Sequence, residues 1–169
     1  MLAMTYKAQG GQGISLSKLR PKGTLIGNDY TSDGIVPFMK IFNTVTESVS
    51  QGGSRKGALM MSIDIRHKQS DEFIIIKSDL DEINKANLSL EIDDKFMNAV
   101  QEYYINDNEI TLHEVRNYDG HIVEYDIIPI RLYKKMMEMV WDYGEPGCLF
   151  TDRLRNFNLM ELVDSYEIP

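Results

Sequence analysis

Cysteine is almost missing: Cys148 is the one thiol in 169 residues. That excludes an internal disulfide and any multi-cysteine metal site within one chain. Long apolar runs are missing too, the longest being a few residues against the roughly 20 that a membrane-spanning helix needs. The opening "MLAMTYKAQGG" has neither the basic flank nor the extended apolar stretch of a secretion signal, so a cytosolic (cytoplasmic) protein is expected. Basic charge is in deficit, with 18 Lys and Arg against 26 Asp and Glu and a formal charge of −8. Non-specific nucleic-acid and membrane-surface binding both need a net basic face, and neither is expected here. Histidine is sparse, and His67, His113 and His121 have no partner histidine at metal-ligand spacing, so no metal site is expected and each reads as a surface or satisfied histidine.

What is present suffices for one core: 43% of the residues are hydrophobic, and residues 1–169 read as a single domain. Residues 34–49 place Phe38, Ile41, Phe42, Val45 and Val49 at helical spacing, with Ser32 and Asp33 as candidate caps and Pro37 in the first turn. "ALMMSIDI" (58–65) reads as a strand, and "SDEFIIIKS" (70–78) as a short helix capped by Ser70 and Asp71. "ANLSLEI" (86–92) alternates with period two. The following "DDKFMNAVQEYY" opens with acids and sets Phe96, Met97, Val100 and Tyr104 on one helical face. "EITLHEV" and "HIVEYDI" flank Asp119-Gly120, a hairpin turn pair, and read as an antiparallel excursion. Pro129 can open a helix whose stripe runs through Leu132, Met136, Met139 or Val140, and Tyr143 until Gly144 and Pro146 stop it. "GCLFTDR" reads as a buried strand, which makes Cys148 a structural thiol with a disfavoured thiolate. The Met residues of "KKMMEMVW" read as core packing. Strands alternating with helices predict an α/β class with a largely parallel sheet, open or closed into a barrel.

Two glycine-rich loops carry the chemistry. "SQGGSRKGA" (50–58) combines three glycines with Arg55 and Lys56, a composition that suits either an anion-binding nest or a flexible connector. Its Lys56 is followed by Gly57 and Ala58, so it is not a phosphate-binding P-loop. "GGQGISLSKLRPKG" (10–23) adds cations at Lys18, Arg20 and Lys22, and its glycines do not fit a dinucleotide fingerprint. It reads equally as a glycine-rich turn before a solvated basic strand end.

Taken together, "GGQGISLSKLRPKG", "GIVPFMKIFNTVTESVSQGGSRKGALMMSIDI", "KANLSLEIDDKFMNAV" and "EPGCLFTDRLRNFNLM" resemble the catalytic (large) subunit of ribonucleotide reductase, in order and spacing, over essentially the whole chain. The resemblance is greatest to adenosylcobalamin-dependent or closely similar bacterial enzymes. It implies part of a ten-stranded α/β barrel that reduces ribonucleotides to deoxyribonucleotides by radical chemistry, with adenosylcobalamin serving the parent enzyme and no cofactor held by this portion itself. The segment matching Val49–Ala58 is, in the family, a mobile loop between substrate base and specificity effector, a deoxynucleoside triphosphate or ATP. By that resemblance Gln51 and Arg55 report the effector to the substrate, Gly11 contacts the substrate through its backbone, and Ser50, Gly52, Gly53 and Ser54 lie on the effector side. Arg20 matches a cation near the effector phosphates, with Lys18 opening an effector loop that runs to about Tyr30. The family pattern can carry an arginine where this chain has Gly27.

The resemblance also implies three cysteines that Cys148 does not match: a thiyl-forming one in an Asn-Pro-Cys-Gly-Glu loop expected just after Pro169, and a reducing pair expected upstream of Met1 and beyond Pro169. Without them no turnover is expected from this chain alone. Partners implied are the ribonucleotide, the effector, and either a complementary reductase fragment or further copies of the chain. Two other readings stand beside this one: a non-catalytic nucleotide-binding or subunit-associating remnant, and an unrelated small α/β phosphate-binding domain.

Overall fold

The computed structural model describes residues 2–51, 55–79 and 83–158, with the backbone alone for residues 50, 51, 55 and 56. In chain order the elements are α1 (Leu2–Lys7), β1 (Gly11–Ser15), β2 (Leu25–Ile26), β3 (Tyr30–Thr31), α2 (Val36–Ser48), β4 (Ser50–Gln51), β5 (Arg55–Lys56), β6 (Ala58–Asp64) and α3 (Ser70–Ile75). A 3-10 turn (Ile76–Ser78) follows, then β7 (Ala86–Ile92), α4 (Asp94–Asn106), β8 (Leu112–Tyr118), β9 (His121–Ile127), α5 (Pro129–Tyr143), β10 (Gly147–Phe150) and α6 (Thr151–Asn156).

Four strands form one parallel sheet in the order β1-β6-β7-β10. The two central strands are covered on both faces, which explains why β7 alternates in sequence yet is buried almost throughout. Met61, Ile63, Leu88, Leu90 and Ile92 form the centre of the core, against Phe73 and Ile74 of α3, Phe96 of α4 and Ile130 and Met136 of α5. β1 and β10 are the edges. The predicted buried strand at 147–153 is therefore corrected: β10 is a short edge strand with Gly147, Cys148 and Phe150 exposed, and α6 begins at Thr151. The Cys148 thiol donates to the Met136 sulfur at 3.7 Å, and its partial burial still pushes its pKa up, as expected.

The helices form where predicted, but two of them turn different faces inward. In α2 the buried residues are Met39, Asn43 and Thr46, while Phe38 and Ile41 are exposed. Both polar residues are satisfied inside: Asn43 Oδ1 accepts from the Lys85 amide at 2.8 Å, and the Thr46 hydroxyl meets the Tyr6 hydroxyl at 2.9 Å. In α4 Phe96, Ala99 and Val100 are buried, Met97 is partly so, and Tyr104 is exposed. Asp93 caps α4 by accepting from the Phe96 amide at 2.9 Å. Pro129 opens α5, and Gly144 closes it in the left-handed conformation, φ 75°. The hairpin turn is as predicted: Asp119 and Gly120 both have positive φ, 51° and 91°, joining β8 to β9 in the geometry that matches strand twist.

Candidate functional site

In parallel α/β sheets ligands bind beyond the carboxyl ends of the strands, where helix-leading loops converge. Here β1, β6 and β7 end together, and the β8–β9 hairpin lies over them. Between hairpin and loop is an open cleft of about 760 Å³, lined by Lys18, Arg20, Asp64, Arg66, Glu114 and Arg116 among others.

The strand ends are tied by one carboxylate. Glu91, near the end of β7, accepts from the hydroxyls of Ser15 (2.8 Å), Ser17 (2.9 Å) and Ser62 (2.7 Å), bridging three neighbouring strands and the loop after β1. Ser17 Oγ in turn accepts from the Asp64 amide at 2.8 Å. Next to this, Arg66 donates to Asp93 at 2.8 Å and to both Glu114 oxygens at 3.1 and 3.2 Å, and Arg116 reaches Asp64 at 2.5 Å. Burial pulls both guanidinium pKa values down, but these carboxylates outweigh it and raise them, so both stay charged. The Tyr125 hydroxyl donates to the Arg66 carbonyl at 2.7 Å, and burial pushes its pKa up to about 12. The hairpin is thereby fastened to the sheet through both of its strands.

Arg20 differs from these cations. It pairs with Asp119 at the hairpin tip, 2.5 Å away, and that carboxylate is 87% exposed. The Nε–H groups of Arg20 and Arg66 are buried donors without a hydrogen-bond partner among the described residues. Arg116 and Arg66 are committed to largely covered carboxylates, so the partner of Arg20 is the one most easily exchanged for another anion.

The loop residues singled out in the sequence fall into two groups. Gly11 is exposed at the start of β1 and pairs with Ala58 at the start of β6. The backbones of β4 and β5 pair antiparallel just before it, Ser50 opposite Lys56 and Gln51 opposite Arg55. Gly52, Gly53 and Ser54 lie outside the described residues. Lys18 and Arg20 follow the other end of β1, about 13 Å of strand rise from Gly11. The structure thus gathers Gly11 with the backbones of β4 and β5 and sets Lys18 and Arg20 at the opposite end of the sheet. Asp64, Arg66, Glu91, Glu114 and Arg116 were not legible as site residues, because their partners are up to 76 residues apart in sequence. The one available signal was the position of Asp64, Arg66 and Glu91 at or just past the ends of apolar strands; Glu114 and Arg116, inside β8, gave none. Among the described residues no group of three His, Cys, Asp or Glu converges to hold a metal ion. His67 is fully buried, and both of its ring nitrogens have partners. No helix among the described residues is long and apolar enough to cross a membrane.

A parallel sheet with helices between its strands and a charged cleft at its carboxyl end defines the α/β class, open or closed into a barrel. The chain belongs to one family within it: the model of the ribonucleotide reductase barrel domain matches residues 1–164. It is 29% identical over 167 residues to the vitamin B12-dependent ribonucleoside-diphosphate reductase of Thermoplasma acidophilum, covering 98% of this chain and 21% of that protein. It is 30% identical over 175 residues to the ribonucleoside-diphosphate reductase subunit alpha of Chlamydia trachomatis, covering 89% of this chain and 17% of that protein. The fold matches that of the Actinobacillus ureae class Id ribonucleotide reductase alpha subunit with a TM-score of 0.67 at 22% identity, over 92% of this chain and 24% of the other. The chain therefore spans about a fifth of the length of these relatives, and its sheet is part of their α/β barrel.

Proposed function

We propose that the chain supplies the nucleotide-facing loops of a ribonucleotide reductase large subunit, acting in deoxyribonucleotide formation for DNA synthesis in the cytoplasm. In this reading Gly11, Gln51 and Arg55 face the ribonucleotide. Lys18 and Arg20 serve a deoxynucleoside triphosphate or ATP effector; Ser50, Gly52, Gly53 and Ser54 are assigned to that effector by the resemblance alone, since β4 lies toward the other end of the sheet from Arg20. The observation that carries the effector assignment is Arg20, a cation in an open cleft whose counter-charge sits on an exposed turn. A guanidinium so paired can exchange a carboxylate for a phosphate without leaving a buried charge uncompensated. Calorimetric titration of the chain with dTTP tests it: Arg20→Ala should weaken binding about tenfold, and equal binding by the variant removes Arg20 from the site.

Turnover would depend on residues that this sequence does not contain. Cys148 is the only thiol, and its contact with Met136 suits packing better than hydrogen abstraction. Adenosylcobalamin would supply the radical in the parent enzyme. Its seat would lie on other segments of the parent enzyme. The edge strand β10 opens onto an apolar groove of about 570 Å³ lined by Phe150, Leu154 and Phe157, which favours association with further barrel strands. Mixing the chain with a complementary reductase segment and following deoxynucleotide formation tests this. A folded but inactive mixture ends the complementation reading.

A further inference from the structure

Between β1 and α2 the chain makes a long loop, residues 16–35, that carries Lys18 and Arg20 and includes the small β2–β3 pair. Leu16 bonds to Ser62, Ser17 to Glu91 and Asp64, and Arg20 to Asp119; the rest of the loop is tied by one short turn, the segment between β6 and α3. There the fully buried His67 lies two residues from Gln69, itself 7% exposed. The His67 Nδ1 accepts from the Gln69 amide at 3.1 Å, which leaves Nε2 as the protonated nitrogen, donating to the Leu19 carbonyl at 3.0 Å. The Gln69 side-chain oxygen accepts from two amides of the loop, Lys22 at 2.9 Å and Ile35 at 3.2 Å. Its nitrogen donates to Glu72 at 2.7 Å, which fixes the amide orientation. The fit is close: a Cβ on Gly34, whose φ is +82°, would stand 2.4 Å from the Gln69 oxygen, so that position requires glycine.

We propose that His67 and Gln69 are positioning residues that set the conformation of the 16–35 loop and so the placement of Lys18 and Arg20, a role that rests on the effector reading above only for its ligand. One carboxamide holds Lys22 and Ile35 to a common point, and the imidazole fixes Leu19, the residue between the two cations. Backbone groups without local partners are thus satisfied from a rigid strand-to-helix turn. The loop keeps its own internal links, such as Gly23 to Ser32 at 2.8 Å, and the Ser32 hydroxyl on the Arg20 carbonyl at 3.1 Å. The clamp therefore positions a pre-organised unit instead of folding it.

Amide hydrogen exchange on the full chain, together with dTTP titration, tests the proposal. Gln69→Ala should speed exchange at Lys22 and Ile35 by about tenfold or more, with the amides of β6 and β7 unchanged, and should weaken dTTP binding. The double exchange Gln69→Glu with Glu72→Gln keeps an acceptor for both loop amides and a donor between the two side chains, and should restore protection and binding. Unchanged exchange at Lys22 and Ile35 in Gln69→Ala overturns the clamp. If Gln69→Ala fails to fold, the double exchange decides alone: protected loop amides support the clamp, and unprotected ones in a folded chain overturn it. A wild-type chain that binds no dTTP sinks the effector reading, while the exchange data still decide the clamp.

Discussion

The two ends of the parallel sheet are held by different chemistry. At the carboxyl end, Glu91 gathers three serine hydroxyls, and Arg66 and Arg116 join Asp64, Asp93 and Glu114 into a network that fastens the hairpin. At the amino end, aromatic contact replaces charge: Gly57, just before β6, lies against the ring of the fully buried Tyr6, whose hydroxyl meets Thr46. Charge networks hold directional geometry at a surface that must stay open to solutes, whereas close packing excludes water but tolerates no added volume. The site on the charged side can accordingly exchange one ion for another, provided that the buried members of the network keep their partners.

The largest effect should come from breaking the network at its centre. Arg66→Met keeps the volume of the side chain but takes the cation from Asp93 and leaves Glu114 with Lys95, while Asp64 keeps Arg116. Removing one partner of a covered ion pair costs about 3–5 kcal/mol when burial is complete. The Arg66 side chain is 21% exposed, so a loss of about 2–3 kcal/mol in urea unfolding is expected. A loss under about 0.5 kcal/mol would place the network among surface ion pairs of little consequence. At the other end, Gly57→Ala puts a Cβ at 2.7–2.9 Å from three ring atoms of Tyr6. The ring cannot retreat without disturbing its bond to Thr46, so overpacking should cost about 1–3 kcal/mol by the same measurement. Tyr6→Leu in the Gly57→Ala background should recover part of that loss, and no recovery would point to backbone strain instead of ring contact.

Much of this was legible in the sequence where local rules agree. The Asp119-Gly120 turn, Pro129 and Gly144 each act within a few residues of themselves, and the hairpin and α5 that they bound formed where the pattern put them. The inner face of α2 was misread because Asn43 and Thr46 look like surface residues until Lys85 and Tyr6 satisfy them from remote parts of the chain. The expected caps failed for a related reason. Ser32 and Asp33 do not cap α2, and the Ile35 amide is taken by Gln69 instead. Ser70 and Asp71 do not cap α3 either. Resemblance to a family reached Lys18 and Arg20 but not the residues that hold them, since Arg20 and Asp119 are 99 positions apart. Hydrogen bonding over such separations follows from topology, which periodicity does not encode.

A smaller effect should appear on acidification. Burial holds the His67 pKa below its ordinary value, with Arg116 acting in the same direction, while the Leu19 carbonyl and Asp64 pull the other way. The folded state therefore binds fewer protons than the unfolded chain between the depressed value and about 6.5, and stability should fall as pH drops through that window. One proton limits the slope to about 1.4 kcal/mol per pH unit. Unfolding midpoints measured from pH 7.5 downward should show this slope, and His67→Gln should flatten it; an equal slope in the variant would assign the dependence to carboxylates of the network.

The smallest change in stability, and the sharpest test of the charged end, should come from Asp119→Asn. Asp119 adopts φ 51°, a conformation that asparagine tolerates as well as aspartate, so the turn and its Gly120 neighbour should persist. Its carboxylate is exposed, and loss of an exposed ion pair costs between about 0 and 1 kcal/mol. What changes is the competition for Arg20. With the turn intact and the counter-charge gone, a phosphate no longer has to displace a carboxylate, and dTTP affinity should rise about two- to fivefold, more at low salt than at high. Arg66→Met should not produce this gain, because it removes a positive charge from the cleft and leaves Asp93 without its cation. Opposite responses to the two substitutions would separate the exchangeable cation of the cleft from the structural one. A parallel loss of affinity in both would mean that the hairpin tip positions the ligand and does not compete with it.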